Sequence, residues 1–211
     1  MLTCDNLSFF KDNKKIFSNL GFSLSTSSAL VITGGNGSGK TSLLKIIAGI
    51  MSPQNGKILW GLRDVEEMRD IFNGDMQFIG HKNFLKQELT VRENLEFYAK
   101  LSDTQMAIPS ALSFFELNQI AEIKVKNLSV GVQMRVRLAR LLACPATLWL
   151  LDEPSTNLDL ANKEKLHGLI KSRIKEKGVV LIATHDEMFF DLGMKLNLED
   201  FRCCESNSLA L

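Results

Sequence analysis

The sequence predicts an α/β fold built on a mostly parallel sheet, with an antiparallel β edge and an inserted helical subdomain. Three observations carry that expectation. Short apolar runs bounded by polar or turn residues alternate with segments of helical periodicity, the pattern of strands joined by crossover helices. Residues 1–25 instead read as short strands and turns, suited to an antiparallel edge. A middle stretch, about residues 82–135, is helical in texture and poor in β-branched clusters. A single domain of 211 residues is expected, its α/β core at about 1–81 and 136–211.

The buried strands are expected at residues 29–33, 56–60, 147–151 and 179–184, each β-branched or Leu-rich. After Lys40, the residues Leu43, Leu44, Ile46, Ile47 and Ile50 recur at three- and four-residue steps, so a helix starts there and ends near Gly49. Runs 91–101 and 109–120 supply helices of the middle stretch, and Val136, Leu138, Leu141 and Leu142 mark another before Pro145.

Composition narrows the function. A formal net charge of +1 lacks the basic surplus of a general nucleic-acid binder, and the basic runs at 11–15 and 171–177 are interrupted by Asp12 and Glu176. Cys4, Cys144, Cys203 and Cys204 have no metal-binding spacing, and the adjacent pair is a poor start to a disulfide framework. Reduced thiols in a cytosolic protein are expected. The first residues lack the pattern of a secretory leader. The longest apolar stretches, 179–183 and 148–151, fall far short of the ~18 residues that span a bilayer. Any membrane role must therefore come through a partner.

Gly34-Gly35-Asn36-Gly37-Ser38-Gly39-Lys40-Thr41 matches the phosphate-loop pattern G-x-x-x-x-G-K-[ST], followed by Ser42. Its glycines can take positive φ and turn backbone N–H groups onto phosphate oxygens, at the anion-favouring start of a helix. Lys40 can reach the β- and γ-phosphates, and the Thr41 hydroxyl can ligate Mg²⁺. An apolar strand precedes the loop and an amphipathic helix follows, so ATP is the expected ligand and a P-loop NTPase core the expected fold. Farther on, Leu148-Trp149-Leu150-Leu151-Asp152-Glu153 is an apolar strand ending in two carboxylates. Open parallel sheets place ligands at the carboxyl ends of their strands. Asp152 is thus expected to hold Mg²⁺ through water, and Glu153 to polarise the water that attacks the γ-phosphate.

Leu128-Ser129-Val130-Gly131-Val132-Gln133 lies just before the helix that leads into that acidic strand. Here the chain resembles the ABC ATPases, whose signature is Leu-Ser-Gly-Gly-Gln at this place. The resemblance spans about residues 2–198. It implies that Ser129 and Gly131 grip the γ-phosphate of an ATP bound by a second ATPase subunit, in a head-to-tail homodimer with two ATPs sandwiched. It also implies that Asp159, in Thr156-Asn157-Leu158-Asp159, belongs to a loop paired across the dimer. His185, in Thr184-His185-Asp186, becomes the switch histidine that contacts the γ-phosphate. Phe10 or Phe9 either stacks on adenine or belongs to the core. The runs Phe78-Ile79-Gly80-His81, Glu88-Leu89-Thr90-Val91-Arg92-Glu93-Asn94-Leu95 and Arg137-Leu138-Ala139-Arg140-Leu141, with Thr147-Leu148-Trp149, are similar to the ATP-binding subunits of bacterial haem exporters for cytochrome c maturation. That likeness implies membrane-spanning permease partners, with the chain peripheral on the cytoplasmic face of the inner membrane.

Two positions depart from the family pattern. Val130 and Val132 replace the usual small residue and glutamine of the signature, with Gln133 one place later. Where the family has a Mg²⁺-sensing glutamine in the loop that couples to the permease, the candidates here are His81 and Lys82, and a lysine cannot accept as an amide oxygen does. Slower intrinsic turnover or looser coupling is expected from that loop. An exporter ATPase for another cargo, a soluble ABC protein acting on ribosomes or DNA, and a regulatory nucleotide-binding module stay open as alternatives. A co-purifying membrane subunit separates the first from haem export. Paired cassettes or coiled-coil insertions mark the second, and turnover decides the third.

Overall fold

The computed structural model describes residues 1–12, 14–80, 84–101 and 104–202. Strands β1 (Leu2–Lys11) and β2 (Lys14–Leu24) form an antiparallel pair, and β3 (Ser28–Thr33) leads through the glycine loop into helix α1 (Lys40–Ile47). There follow β4 (Asn55–Trp60), β5 (Arg63–Asp64), α2 (Arg69–Gly74) and β6 (Met76–Ile79). Helices α3 (Val91–Leu101), α4 (Ile108–Phe114) and α5 (Val130–Ala143) come next. The chain returns to strand structure with β7 (Leu148–Asp152), then α6 (Leu160–Lys175), β8 (Val179–Ala183) and β9 (Met194–Asn197).

These strands make two sheets. One is parallel throughout, in the order β6-β7-β8-β3-β9; the other is antiparallel, in the order β2-β1-β4-β5. Alternation along the parallel strands divides the core. Leu148, Leu150, Val179, Leu181, Leu30 and Ile32 face α1 and the antiparallel sheet, whereas Trp149, Leu151, Val180, Ile182 and Ala29 face the cluster under α3, α4, α5 and α6. Both faces of the sheet are therefore dry, which is why its strands read as continuous apolar runs rather than alternating ones.

Residues 56–60 depart from the expectation of a strand in the parallel sheet. They form β4, paired antiparallel with β1 and only partly buried, with Gly56 at φ 91°. A Cβ there would lie 2.5 Å from the carbonyl oxygens of Asp5 and Asn6, so only glycine passes so close to β1. The antiparallel part is thus a second sheet rather than an edge of the first. The expected helix over 109–120 stops at Phe114, because Glu116 takes φ 55° and the chain continues through a 3₁₀ turn at Asn118–Ile120. Strands β6 and β9, at the two edges of the parallel sheet, have no counterpart among the expected ones. Helix α1 ends as anticipated at Gly49, which takes φ 69° and donates to the Ile46 carbonyl. Helix α5 runs unbroken through residue 135 and so belongs to both the helical layer and the core.

Leu150 is fully buried on a central strand. Leu150→Ala should lower unfolding stability by about 2–5 kcal/mol through lost transfer energy and a residual cavity. The urea midpoint measures it; a shift equal to that of an exposed Leu62→Ala control would contradict the packing described.

Candidate nucleotide-binding and hydrolysis site

The register of three adjacent strands sets the site. Ile32 of β3 pairs with Ala183 of β8, and Ala183 with Asp152 of β7, so the three chains leave the sheet side by side. The glycine loop, the Asp152–Glu153 pair and Thr184–His185 consequently meet at one level.

Within the loop, Gly34, Gly37 and Gly39 take φ 132°, 75° and 105°. Ile16 and Phe17 of β2 pack against Gly39, where a Cβ would lie 2.5 Å from Ile16, while Gly37 faces open space. Lys40 is only 8% exposed, and its Nζ donates to the carbonyls of Gly34 (2.7 Å) and Gly35 (3.3 Å) and lies 2.9 Å from His185 Nε2. Burial pulls the Lys40 ammonium below the usual lysine range, and the charges of Glu153, Asp152 and Glu199 oppose that shift. Thr41 Oγ1 donates to the buried Asp152 carboxylate at 2.9 and 3.1 Å. Ser38 Oγ is buried without a hydrogen-bond partner among the described residues. A cavity beside the loop is lined by Asn36 through Ser42, Asp152 and Glu153, with Lys11 and Ile16.

These features suit a triphosphate and its Mg²⁺. Gly37 leaves the middle of the loop open, the Ser38 hydroxyl lacks a partner among the described residues, and Lys40 supplies a cation. Thr41 and Asp152 place a hydroxyl and a carboxylate together, the hard oxygen donors that Mg²⁺ takes.

Glu153 sits at φ 48°, a left-handed conformation uncommon outside glycine. It is held there by its own N–H, which donates to Ala183 O at 2.8 Å. Thr184 Oγ1 donates to Glu153 Oε2 at 3.4 Å, and His185 Nε2 lies 3.7 Å from Glu153 Oε1. Strain of this kind, about 1–3 kcal/mol, persists where the surroundings over-determine it. Asp186 holds the turn after His185: burial would raise its pKa, but Lys163 at 2.7 Å and the Met188 N–H outweigh it and leave the carboxyl low.

Ser129 and Gly131 stand elsewhere. Ser129 caps α5, accepting from Val132 N at 3.4 Å, and neither residue lines the cavity at the glycine loop. Gly131 meets the loop after β7, where a Cβ would fall 2.7 Å from Asn157 O. Gln133 turns inward and donates to the Val125 and Leu128 carbonyls, while Val132 packs on the core under the helices. Asp159 caps α6 through the Asn162 N–H, a hydrogen bond that keeps its carboxyl below the ordinary range. Phe10 does not line the cavity; its ring lies under Lys15 Nζ, 5.5 Å away, and Phe9 is a core residue packed on Phe17. His81 and Lys82 lie outside the described residues. Sequence reasoning missed Ile16, which walls the loop, and Glu199, which accepts from Gly35 N at 2.9 Å; neither belongs to a motif.

A P-loop NTPase is the class that this fold and site define. The profile of the ABC transporter family matches residues 17–156. The chain belongs to that family, whose ATPase subunits bind and hydrolyse ATP. The cytochrome c biogenesis ATP-binding export protein CcmA of Wolbachia pipientis wMel is 41% identical over 185 residues, covering 88% of this chain and 89% of that protein. CcmA of Paramagnetospirillum magneticum is 38% identical over 205 residues, covering 95% and 94%. Among solved structures, a putative ABC transporter ATP-binding protein from Pyrococcus furiosus superposes with a TM-score of 0.83 at 26% identity, over 96% of this chain and 99% of that one. A dimeric ATP-binding cassette in a post-hydrolysis state, bound to ADP and Pi, gives 0.84 at 25% identity over 93% and 94%.

Gly131→Ala should force α5 away from Asn157 and destabilise the protein by about 1–3 kcal/mol, as overpacking does. Thermal unfolding measures it, with Gly168→Ala, a helical glycine with open space around it, as the control expected to be neutral or stabilising. Equal melting of both variants would contradict the close approach.

Proposed function

We propose that this chain powers haem export for cytochrome c-type biogenesis, as one of two ATPase subunits docked to membrane-spanning permease subunits on the cytoplasmic face of the bacterial inner membrane. The observation that carries the paired arrangement is the division of the site. Phosphate loop and acidic strand end share a cavity, while the signature residues Ser129 and Gly131 do not line it, and exposed apolar side chains stand at the starts of α5 and α6, Val130 at 64% and Leu160 at 63%. A second copy turned head to tail would bring its signature over this loop and cover those apolar side chains. The cassette seen as a dimer with ADP and Pi supports that reading. The names of the relatives, export proteins of cytochrome c biogenesis, support the cargo and the permease partner. No helix among the described residues is long and apolar enough to cross a membrane.

In this reading the loop amides from Gly37 to Ser42 and Lys40 hold the β- and γ-phosphates. Thr41 and Asp152 hold Mg²⁺, which when bound neutralises charge on the phosphate oxygens. Glu153 polarises the attacking water and takes its proton, aimed by its left-handed backbone and by Thr184. Lys40 Nζ lies 2.9 Å from His185 Nε2, so both side chains stand within reach of a single γ-phosphate. Closure is driven by contacts that exist only with ATP in place, between that phosphate and the partner's signature. Asp159 shapes the loop that meets its equivalent across the pair, and His81 and Lys82 belong to the contact that carries the motion to the permease.

Mg²⁺-dependent ATP turnover of the purified chain tests this directly. Glu153→Gln should retain ATP binding but lose about 10²–10⁴-fold in turnover, and should elute as a dimer only with ATP. Turnover undiminished in that variant, or a monomer that ignores ATP, would contradict the mechanism. Failure of a haem-handling membrane subunit to co-purify would leave the ATPase intact and remove the cargo.

A further inference from the structure

Lys40 and the C-terminal segment grip the same peptide unit. The carbonyl of Gly34 accepts from Lys40 Nζ at 2.7 Å, and the N–H of the same peptide, on Gly35, donates to Glu199 Oε1 at 2.9 Å. The C=O and N–H of a trans peptide point in opposite directions, so the two side chains pull on opposite edges of one plane. An oxygen acceptor on the N–H polarises the peptide and strengthens its carbonyl as an acceptor for an ammonium group.

Glu199 is placed for this by its own segment. Strand β9 pairs with β3 so that Asn197 lies opposite Thr33, the last residue before the loop. The Asn197 side chain caps the following 3₁₀ turn, Leu198–Phe201, by accepting from Glu199 N at 3.2 Å. Leu198 is fully buried and Phe201 packs against the same core, which pins the turn on both sides of Glu199. A Cβ on Gly35 would lie 2.9 Å from Glu199 Oε1, so glycine at this position leaves the carboxylate its place.

We infer that Glu199 is a positioning residue for the phosphate loop: through the Gly34–Gly35 peptide it fixes the plane that holds Lys40 ready for nucleotide. The proposal rests on the nucleotide-binding reading of the loop. Glu199 acts through its hydrogen bond rather than by contact with ATP, so an amide oxygen can replace the carboxylate and a methyl group cannot. The Coulomb interaction of Glu199 with Lys40 agrees in direction, since it favours the charged lysine.

The test compares the full chain with Glu199→Gln and Glu199→Ala by two readouts. Binding of N-methylanthraniloyl-ATP with Mg²⁺ should weaken roughly 3- to 10-fold in Glu199→Ala, the scale of one lost hydrogen bond, and stay within about twofold in Glu199→Gln. Amide hydrogen exchange without nucleotide should be slow at Gly35 in the unaltered chain and in Glu199→Gln, and fast in Glu199→Ala. Unchanged nucleotide binding in Glu199→Ala, or equal exchange at Gly35 in all three proteins, would overturn the proposal. Equal weakening by both variants would assign the effect to charge and overturn it as well. An unaltered chain that binds no nucleotide would bring down the nucleotide-binding reading and the proposal together.

Discussion

Strand register is the constraint on which the rest of this molecule depends. Ile32, Ala183 and Asp152 stand abreast on β3, β8 and β7, and every group at the site is counted from that line. A slip of one residue in β8 would turn Val179, Leu181 and Ala183 from one core to the other and carry His185 away from Lys40. The register is enforced because both faces of the sheet are buried, one by α1 and the antiparallel sheet, the other by the helical layer. The positive φ of Glu153 follows from the same pairing: its N–H continues the ladder to Ala183 while its side chain has already left the sheet.

Much of this was legible in the sequence because the decisive groups are local. A glycine loop between an apolar strand and an amphipathic helix, or two carboxylates ending an apolar run, needs only a few consecutive residues to be recognised. The ends of α1 and α3 were legible for the same reason. What was hidden depends on pairings distant in sequence. Residues 56–60 look like a core strand, yet they join β1 because Gly56 lets two backbones approach. The edge strands β6 and β9 are short, and Met194 and Lys195 of β9 are exposed, so neither has the apolar density of a central strand. Glu199 carries no signal at all; its place at Gly35 is created by the β3–β9 register. The ring of Phe10 lies under Lys15 and outside the lining of the loop cavity, a placement that its position in the chain does not announce.

The departures in the signature segment acquire a physical reading. Val132 faces the core and supplies the backbone N–H that Ser129 caps, so an apolar side chain suits its position. Gln133 spends its amide on the Val125 and Leu128 carbonyls and staples the incoming chain to the first turn of α5. The start of the helix is thereby held from inside, leaving Ser129 and Val130 exposed at its tip. Gly131 stays glycine for a separate reason, the closeness of Asn157 O, which couples the tip of α5 to the loop that follows Glu153.

The position of β3 in the sheet also has a bearing on how the protein is made. The strand that carries the phosphate loop lies near the beginning of the chain, yet both of its neighbours, β8 and β9, come from near the end. While the ribosome is still synthesising the helical layer, β3 has no partner on either side, and its buried apolar residues must wait in the nascent chain. The loop acquires its shape only when the last strands insert around it, after long-range closures of the kind that slow folding. A chain released early holds every residue of the glycine loop and no site. The shape of the glycine loop is thus a product of the whole parallel sheet and not of the loop's own residues alone.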